Sequence, residues 1–343
     1  MSMDPFLDTL AHVEDGRTLS RPQAAAAMRA IMDGHVPEDH LARWLGALAL
    51  RVPTSQELLG FVAAAMSTAV RVPCRTPPER ILDTCGTGGA PKVFNASTLA
   101  GLVAAASGCP VAKHGNRSRT SFGSAETLAA LGVRVDATPE DEARLLDEIG
   151  FCFCMAPSHH PGAAHAATVR RKLGIPTVFN VVGPLCNPAG ALRQVVGVWD
   201  ERLLMPVAET LAAMGSVQTM VLHGMDGLDE VSVTHATRYV HVERGVVAGE
   251  GMLEPAMFGI RAHAEPPEPA HSLVEAVEIA NRLLDGRDVG ARRDMLVANA
   301  AVALVVGGHR LSWKDAASMA RDLLDSRRVR ILLDRLVEQE KRP

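Results

Sequence analysis

The sequence predicts an α/β protein with a small helical N-terminal domain and a larger domain, in which helices flank a mostly parallel central sheet. Three observations carry this expectation. Residues 4–70 hold helix patterns only. After a proline-rich break, short apolar runs alternate with helical segments, as βα units do. Polar, glycine-containing loops then recur where an apolar run gives way to a helix.

The helical part opens at Ser20, which with Pro22 and Gln23 reads as a capping box before RPQAAAAMRAIMDG, and Gly34 stops that helix. The next helix, running to Leu50, is apolar nearly all round, which predicts a buried or subunit-facing position. Thr54 and Glu57 cap a further helix. RVPCRTPP, with prolines at 73, 77 and 78, reads as a linker.

Beyond it RILDTC, CPVAKHG, VRVDA and FCFCMAP read as strands, separated by the helical segments STLAGLVAAASG, SAETLAALG and TPEDEARLLDEIG. In the last of these Thr138 is the N-cap, Pro139 sits in the first turn and Gly150 is the stop. RQVVGVW and VQTMVLHG are further strands, and the second delivers DGLDE to its carboxyl end, where open α/β sheets bind ligands. After about residue 242 the pattern is less regular; EPPEPAHS reads as a loop, and two or three long helices close the chain.

Composition narrows the function. A chain of 343 residues with 47% hydrophobic and 22% charged residues can bury a large core. Aromatics at 3% and a net charge of −4 speak against nucleic acid, which needs stacking platforms and positive charge. The N-terminus lacks the basic-then-apolar order of a signal peptide, and no apolar run reaches the roughly 18 residues of a membrane span. The expectation is a cytoplasmic protein with no membrane partner. The six scattered cysteines read as small buried hydrophobes rather than as disulfides or zinc ligands.

Four stretches carry chemistry. In GTGGAPKVFNAST, Gly86, Gly88 and Gly89 let backbone amides approach an anion, and a helix start follows. Asn95, Ser97 and Thr98 add side-chain donors, but neither a Walker A loop nor the GxGxxG spacing is present. In KHGNRSRTSFGSAE, Lys113, Arg117 and Arg119 stand among Asn116, Ser121 and Ser124, a cationic and donor-rich loop. In HGMDGLDE, Asp226, Asp229 and Glu230 offer the oxygen ligands that suit magnesium. APSHHPGAAHAATVRRKLGIPT offers His159, His160, His165, Arg170 and Arg171. Its spacing matches no common zinc set and no acid lies near in sequence, whereas a guanidinium is a natural partner for a carboxylate.

GTGG…FNAST, KHGNR…GSAE, HP…VRRKLGIPTVFNVVGPLCNPA and HGMDGLDE, in that order, resemble the anthranilate phosphoribosyltransferases, and the resemblance runs essentially end to end. It implies a homodimer joined through the helical domain. That domain would take in residues 1–74 and a segment near 170–190, with 75–169 and 191–343 forming the α/β domain. Phosphoribosyl diphosphate would be held by Gly86, Thr87, Gly88, Gly89, Lys92 and Asn95 in the first loop and by Ser97 and Thr98 behind it. Lys113, Arg119, Ser121 and Ser124 would hold it from the second. Ser97, Asp229 and Glu230 would serve Mg2+. Gly86, Asn116, Ala156, His160 and Arg170 would line the path of anthranilate or a similar benzoate, Arg170 taking its carboxylate. No residue is assigned as a general base.

The chain departs from the family pattern on the phosphoribosyl diphosphate side. The family loop reads GTGGD, with a threonine just before FN; here Ala90 replaces the acid, Pro91 and Lys92 follow, and Val93 takes the threonine position. Before GSAE, Arg-Thr-Ser-Phe replaces Ser-Ser-Lys-Ser, and each loop is one residue shorter. Three readings follow: an anthranilate enzyme in which Lys92 and Arg119 share charge neutralisation with magnesium, a paralogue acting on another aromatic carboxylate, or a binding relative without catalysis, of which nucleic-acid binders of this fold are one kind.

Overall fold

The computed structural model describes residues 5–91, 93–118 and 122–339. Four helices come first: α1 (Pro5–Glu14), α2 (Arg21–Met32), α3 (Glu38–Ala49) and α4 (Ser55–Ser67). Their ends follow the sequence signals. Ser20 N–H donates to Gln23 Oε1 at 3.0 Å, and Thr54 Oγ1 accepts from Glu57 N–H at 3.2 Å while Glu57 Oε2 accepts from Thr54 N–H at 2.8 Å. These bonds satisfy donors that a helix start leaves orphaned. α3 buries Leu41, Trp44, Leu45 and Leu48 and exposes its acidic first turn, so it is one-sided rather than buried all round.

The α/β part runs β1 (Leu82–Gly86), α5 (Ala96–Ala106), β2 (Val111–Gly115), α6 (Ser124–Ala130), α7 (Pro139–Glu148), β3 (Phe151–Met155), α8 (Ala156–His159), α9 (Ala164–Leu173) and α10 (Val178–Val182). It continues with β4 (Arg193–Gly197), α11 (Leu204–Ala213), β5 (Gln218–Gly224), β6 (Thr237–Glu243) and β7 (Val246–Leu253). It closes with α12 (Leu273–Leu284), α13 (Ala291–Val306), α14 (Trp313–Asp325) and α15 (Arg328–Gln339). Among the described residues the strands form one seven-stranded sheet in the order β3-β2-β1-β4-β5-β6-β7. β1 to β5 are parallel, while β6 and β7 are antiparallel additions.

Successive residues on a strand face opposite sides. Met220 and Leu222 join an apolar cluster with α5, α13 and α14, whereas Val221 between them joins α11 and the N-terminal helices. The N-terminal helices therefore share a continuous core with one face of the sheet, and α9 and α10 pack onto α2, α3 and α4.

Three expectations are corrected. VRVDA is not a strand: Val133, Val135 and Ala137 are buried, Val133 and Val135 within the apolar core, but the stretch pairs with no strand of the sheet among the described residues. The irregular stretch after residue 242 belongs to a β6–β7 hairpin, whose edge strand β7 is exposed along most of its length and so lacks a clean apolar period. Among the described residues four helices rather than two or three follow the sheet, and Arg327 (φ 60°) breaks the path between α14 and α15.

Candidate active site

The chain leaves β1 toward β2 on one side of the sheet, and β4 lies on the other, so the strand order reverses between them. At such a point a crevice opens beyond the carboxyl ends of the strands. Gly86 pairs with Gly197 across the ends of β1 and β4. A side chain on either would meet the same residue: a Cβ on Gly86 would stand 2.7 Å from Asp229 Oδ2, which could swing aside, and one on Gly197 would stand 1.7 Å from the Asp229 carbonyl oxygen, which could not. This double absence lets the DGLDE loop lie directly across the strand ends.

Thr87 closes the gap between the strands. Its N–H donates to Gly197 O at 2.9 Å, and its Oγ1 accepts from Trp199 N–H at 3.2 Å. Gly88 and Gly89 follow at φ +62° and +95°, backbone that residues with a Cβ adopt only at a cost. Glu230 Oε1 accepts Ser97 N–H at 3.2 Å in the first turn of α5, placing negative charge at a helix start. Ser97 is half-buried, while Thr98 is only 1% exposed, and its N–H is already bonded to Asn95 O at 3.1 Å. Asn95 braces the two loops, its Nδ2 donating to Thr127 Oγ1 at 2.5 Å and to Phe122 O at 3.3 Å.

Lys113 on β2 is 2% exposed; its Nζ bonds the Thr84 carbonyl and lies 3.5 Å from Ser97 Oγ. Burial lowers its pKa, against the opposing charge of Asp83. Asp83, fully buried, is pushed up to about 6 by desolvation, although Lys113 and the Asn187 amide (2.9 Å) pull the other way. In the second loop Ser118 N–H and Gly123 N–H both donate to the Glu126 carboxylate, at 3.2 and 2.9 Å, which shapes the turn leading to Ser124 at the start of α6. Asn116 and Arg117 are exposed. Lys92, Arg119 and Ser121 lie outside the described residues.

On the other side of the crevice Arg170 stands on α9, its guanidinium 5.0 Å over the Phe179 ring and its Nη2 3.5 Å from Asn180 Oδ1. Asn180 Nδ2 in turn donates to Thr87 O at 3.2 Å. His160 donates from Nε2 to Cys186 O at 2.8 Å, and its ring lies 5.3 Å from that of His114. Burial lowers the His114 pKa to about 3, so this ring is neutral at pH 7. Ala156, half-buried, opens α8.

Two features differ from the sequence reading. Asp226 accepts Thr234 Oγ1–H at 2.9 Å and caps its own loop, so Asp229 and Glu230 are the acids at the strand ends. An acid does lie near the histidines in space: Glu142 on α7 stands 2.8 Å from His159 Nε2, beside buried Cys154, and His159 Nδ1 donates to Val70 O at 2.7 Å. The cysteines are free thiols, and all but Cys74 are buried. Sequence reasoning gave no role to Asp83, Asn180 or Gly197. Gly197 had a usable signal, since a lone glycine within a strand marks a close backbone approach.

A family pattern described as the glycosyl transferase family a/b domain matches residues 78–328, and the helical bundle domain of the same family matches residues 7–69. An anthranilate phosphoribosyltransferase from Rubrobacter xylanophilus is 39% identical over 98% of this chain and 97% of its own length. One from Methanopyrus kandleri is 42% identical over 97% and 99%. Among solved structures, the anthranilate phosphoribosyltransferase of Thermus thermophilus superimposes with a TM-score of 0.88 at 37% identity, over 96% of this chain and 98% of that one. The Saccharomyces cerevisiae enzyme in complex with phosphoribosyl diphosphate and magnesium gives 0.86 at 26% identity, over 98% of both chains.

Proposed function

The chain belongs to the anthranilate phosphoribosyltransferase family, and on that premise we propose that it moves 5-phosphoribose from phosphoribosyl diphosphate to the amine of anthranilate, releasing diphosphate, as a step of tryptophan biosynthesis. One observation carries the reading. At the β1–β4 switch point the glycine loop and the oxygen donors Asp229 and Glu230 stand on one side, and Asn180 links that loop to Arg170 on the other.

Phosphoribosyl diphosphate is read as lying along Gly86 to Gly89, Asn95 and Ser97, with Lys113 and Ser124 behind it and Thr98 supporting the helix start. The backbone N–H groups of the glycine loop, which no Cβ shields at Gly86, Gly88 and Gly89, suit its oxygens. Ser97, Asp229 and Glu230 offer only oxygen, which fits magnesium, a hard cation shared with substrate phosphates. When bound, magnesium offsets charge on the departing diphosphate. Anthranilate is read as entering past Asn116, Ala156 and His160 with its carboxylate on Arg170, whose planar fork matches a carboxylate. The complex of the yeast relative with 4-fluoroanthranilate supports an acceptor of this class.

The chemistry asks for position more than proton transfer. The aniline-type amine is neutral at pH 7; its lone pair bonds to C1 of the ribose as the C1–O bond breaks and the bonding electrons leave with diphosphate. The nitrogen proton is then acidic enough to pass to water. Charge at C1 and on the leaving group grows together, so fixed donors around the diphosphate are where the protein lowers the barrier.

Residues 1–74 with 170–190 are read as a unit able to hinge against the remainder, since α9 and α10 pack on α2–α4. Two copies pair through this unit, where Leu7 and Leu50 are 40% and 88% exposed. Among the described residues no helix is long and apolar enough to cross a membrane. The enzyme is read as cytoplasmic from the substrates it would use. Incubation with magnesium and phosphoribosyl diphosphate should extinguish anthranilate fluorescence with one diphosphate released per acceptor; leaving both unchanged would sink the proposal.

A further inference from the structure

Asn180 has no role in the reaction as outlined, yet its side-chain amide stands between the two substrate sides. Its Oδ1 accepts Thr177 N–H at 3.0 Å and lies 3.5 Å from Arg170 Nη2, while its Nδ2 donates to Thr87 O at 3.2 Å. The orientation of the amide is not interchangeable. Two donors face the oxygen and a carbonyl faces the nitrogen, so flipping it would set like against like at all three contacts.

The Thr87 carbonyl belongs to the same planar trans peptide as the Gly88 N–H, and the two point in opposite directions. Fixing the carbonyl on Asn180 therefore fixes where the Gly88 N–H is presented in the glycine loop. Thr87 is anchored on its other side by Gly197 O and by Trp199 N–H, so Asn180 supplies the remaining restraint on this peptide among the described residues. At the far end Arg170 is steadied by Phe179, the residue preceding Asn180 on α10.

We propose that Asn180 is a positioning residue that couples the two substrate sites: a carboxylate on Arg170 and an anion in the glycine loop each favour the amide placement the other requires. This rests on the reading of Arg170 and the loop given above. Coupling of this kind is reciprocal, so either ligand tightens the other by the same factor.

The test titrates anthranilate by its fluorescence, with and without saturating magnesium diphosphate, a pair that cannot react. The expected result is an anthranilate Kd about fivefold or more lower with magnesium diphosphate present. In Asn180→Ala and in the near-isosteric Asn180→Asp, which keeps an oxygen but loses the donor to Thr87, that ratio falls to about one. Meanwhile the Kd for magnesium diphosphate alone stays within about threefold, a pattern that simple loosening of the fold does not produce. An unchanged ratio in a folded variant, or a ratio of one in the parent, overturns the inference while leaving the proposed reaction standing. A parent protein that binds neither ligand overturns both.

Discussion

Glu230 Oε1 accepts the Ser97 N–H at 3.2 Å, tying the loop after β5 to the first turn of α5 across 133 residues of sequence. The bond brings a carboxylate beside a hydroxyl at a helix start, and Asp229 lies against Gly86 next to it. Asp229→Asn and Glu230→Gln should each raise the magnesium concentration for half-maximal activity by at least roughly tenfold. Magnesium titrations read this directly, and an unshifted midpoint would contradict the assignment. The parent enzyme should rise to a plateau without inhibition at high magnesium, because Ala90 stands where the family has an acid and Lys92 adds a cation; strong inhibition by excess magnesium would count against that.

Arg170 is proposed as the acceptor-side cation, and losing a charge-assisted bond to a carboxylate costs about 1.5–3 kcal/mol. Arg170→Ala should therefore raise the anthranilate KM by about ten- to a hundredfold and the phosphoribosyl diphosphate KM by less than about threefold. Steady-state kinetics with each substrate varied in turn decide it. Equal effects on both substrates would remove Arg170 from this role.

Gly86 and Gly197 make different demands although they face each other. A Cβ on Gly197 meets the Asp229 backbone, which cannot swing away, so Gly197→Ala should destabilise the fold by about 1–3 kcal/mol and abolish most activity. A Cβ on Gly86 meets only the end of the Asp229 side chain. Gly86→Ala should leave stability nearly unchanged and act through the magnesium requirement. Urea unfolding together with magnesium titration separates the two, and the reverse order would contradict the described loop packing.

Asp83 gives a pH signature. Its folded carboxyl keeps a proton to about pH 6, while the unfolded one loses it near 3.8, so between these values the folded state binds the extra proton. Stability from this group is greatest below pH 3.8, falls as pH rises to about 6, and is level above that. Lys113, Cys85 and the His114 N–H face the same carboxylate, but Asp83→Asn removes only its own titration. The stability difference between parent and Asp83→Asn should change across about pH 4–6 and stay flat from about pH 6.5 to 8. Urea midpoints over that range test it, and a constant difference throughout would contradict the raised pKa.

Much of the fold was legible because local signals agreed with the packing. Capping pairs such as Ser20–Gln23 and Thr54–Glu57 mark helix starts whatever the tertiary context. β1, β2, β4 and β5 read as apolar runs because each has a strand on either side and buries most of its length. β7 was illegible for the opposite reason, since an exposed edge strand needs no apolar alternation. VRVDA misled because the alternating burial of Val133 and Val135 in the apolar core mimics a strand although the stretch does not join the sheet. At the site, motifs located the glycine loop, Glu230 and Arg170. The Asn180 bridge and the Gly86–Gly197 pair depend on contacts between segments about 90 or more residues apart, which no local pattern encodes.

Acceptor choice tests the proposed reaction most directly. With magnesium and phosphoribosyl diphosphate supplied, anthranilate should be consumed, with one diphosphate released per turnover, at a higher kcat/KM than any of a panel of hydroxybenzoates and other aminobenzoates. Consumption of another benzoate in preference to anthranilate, or of none of them, would contradict it.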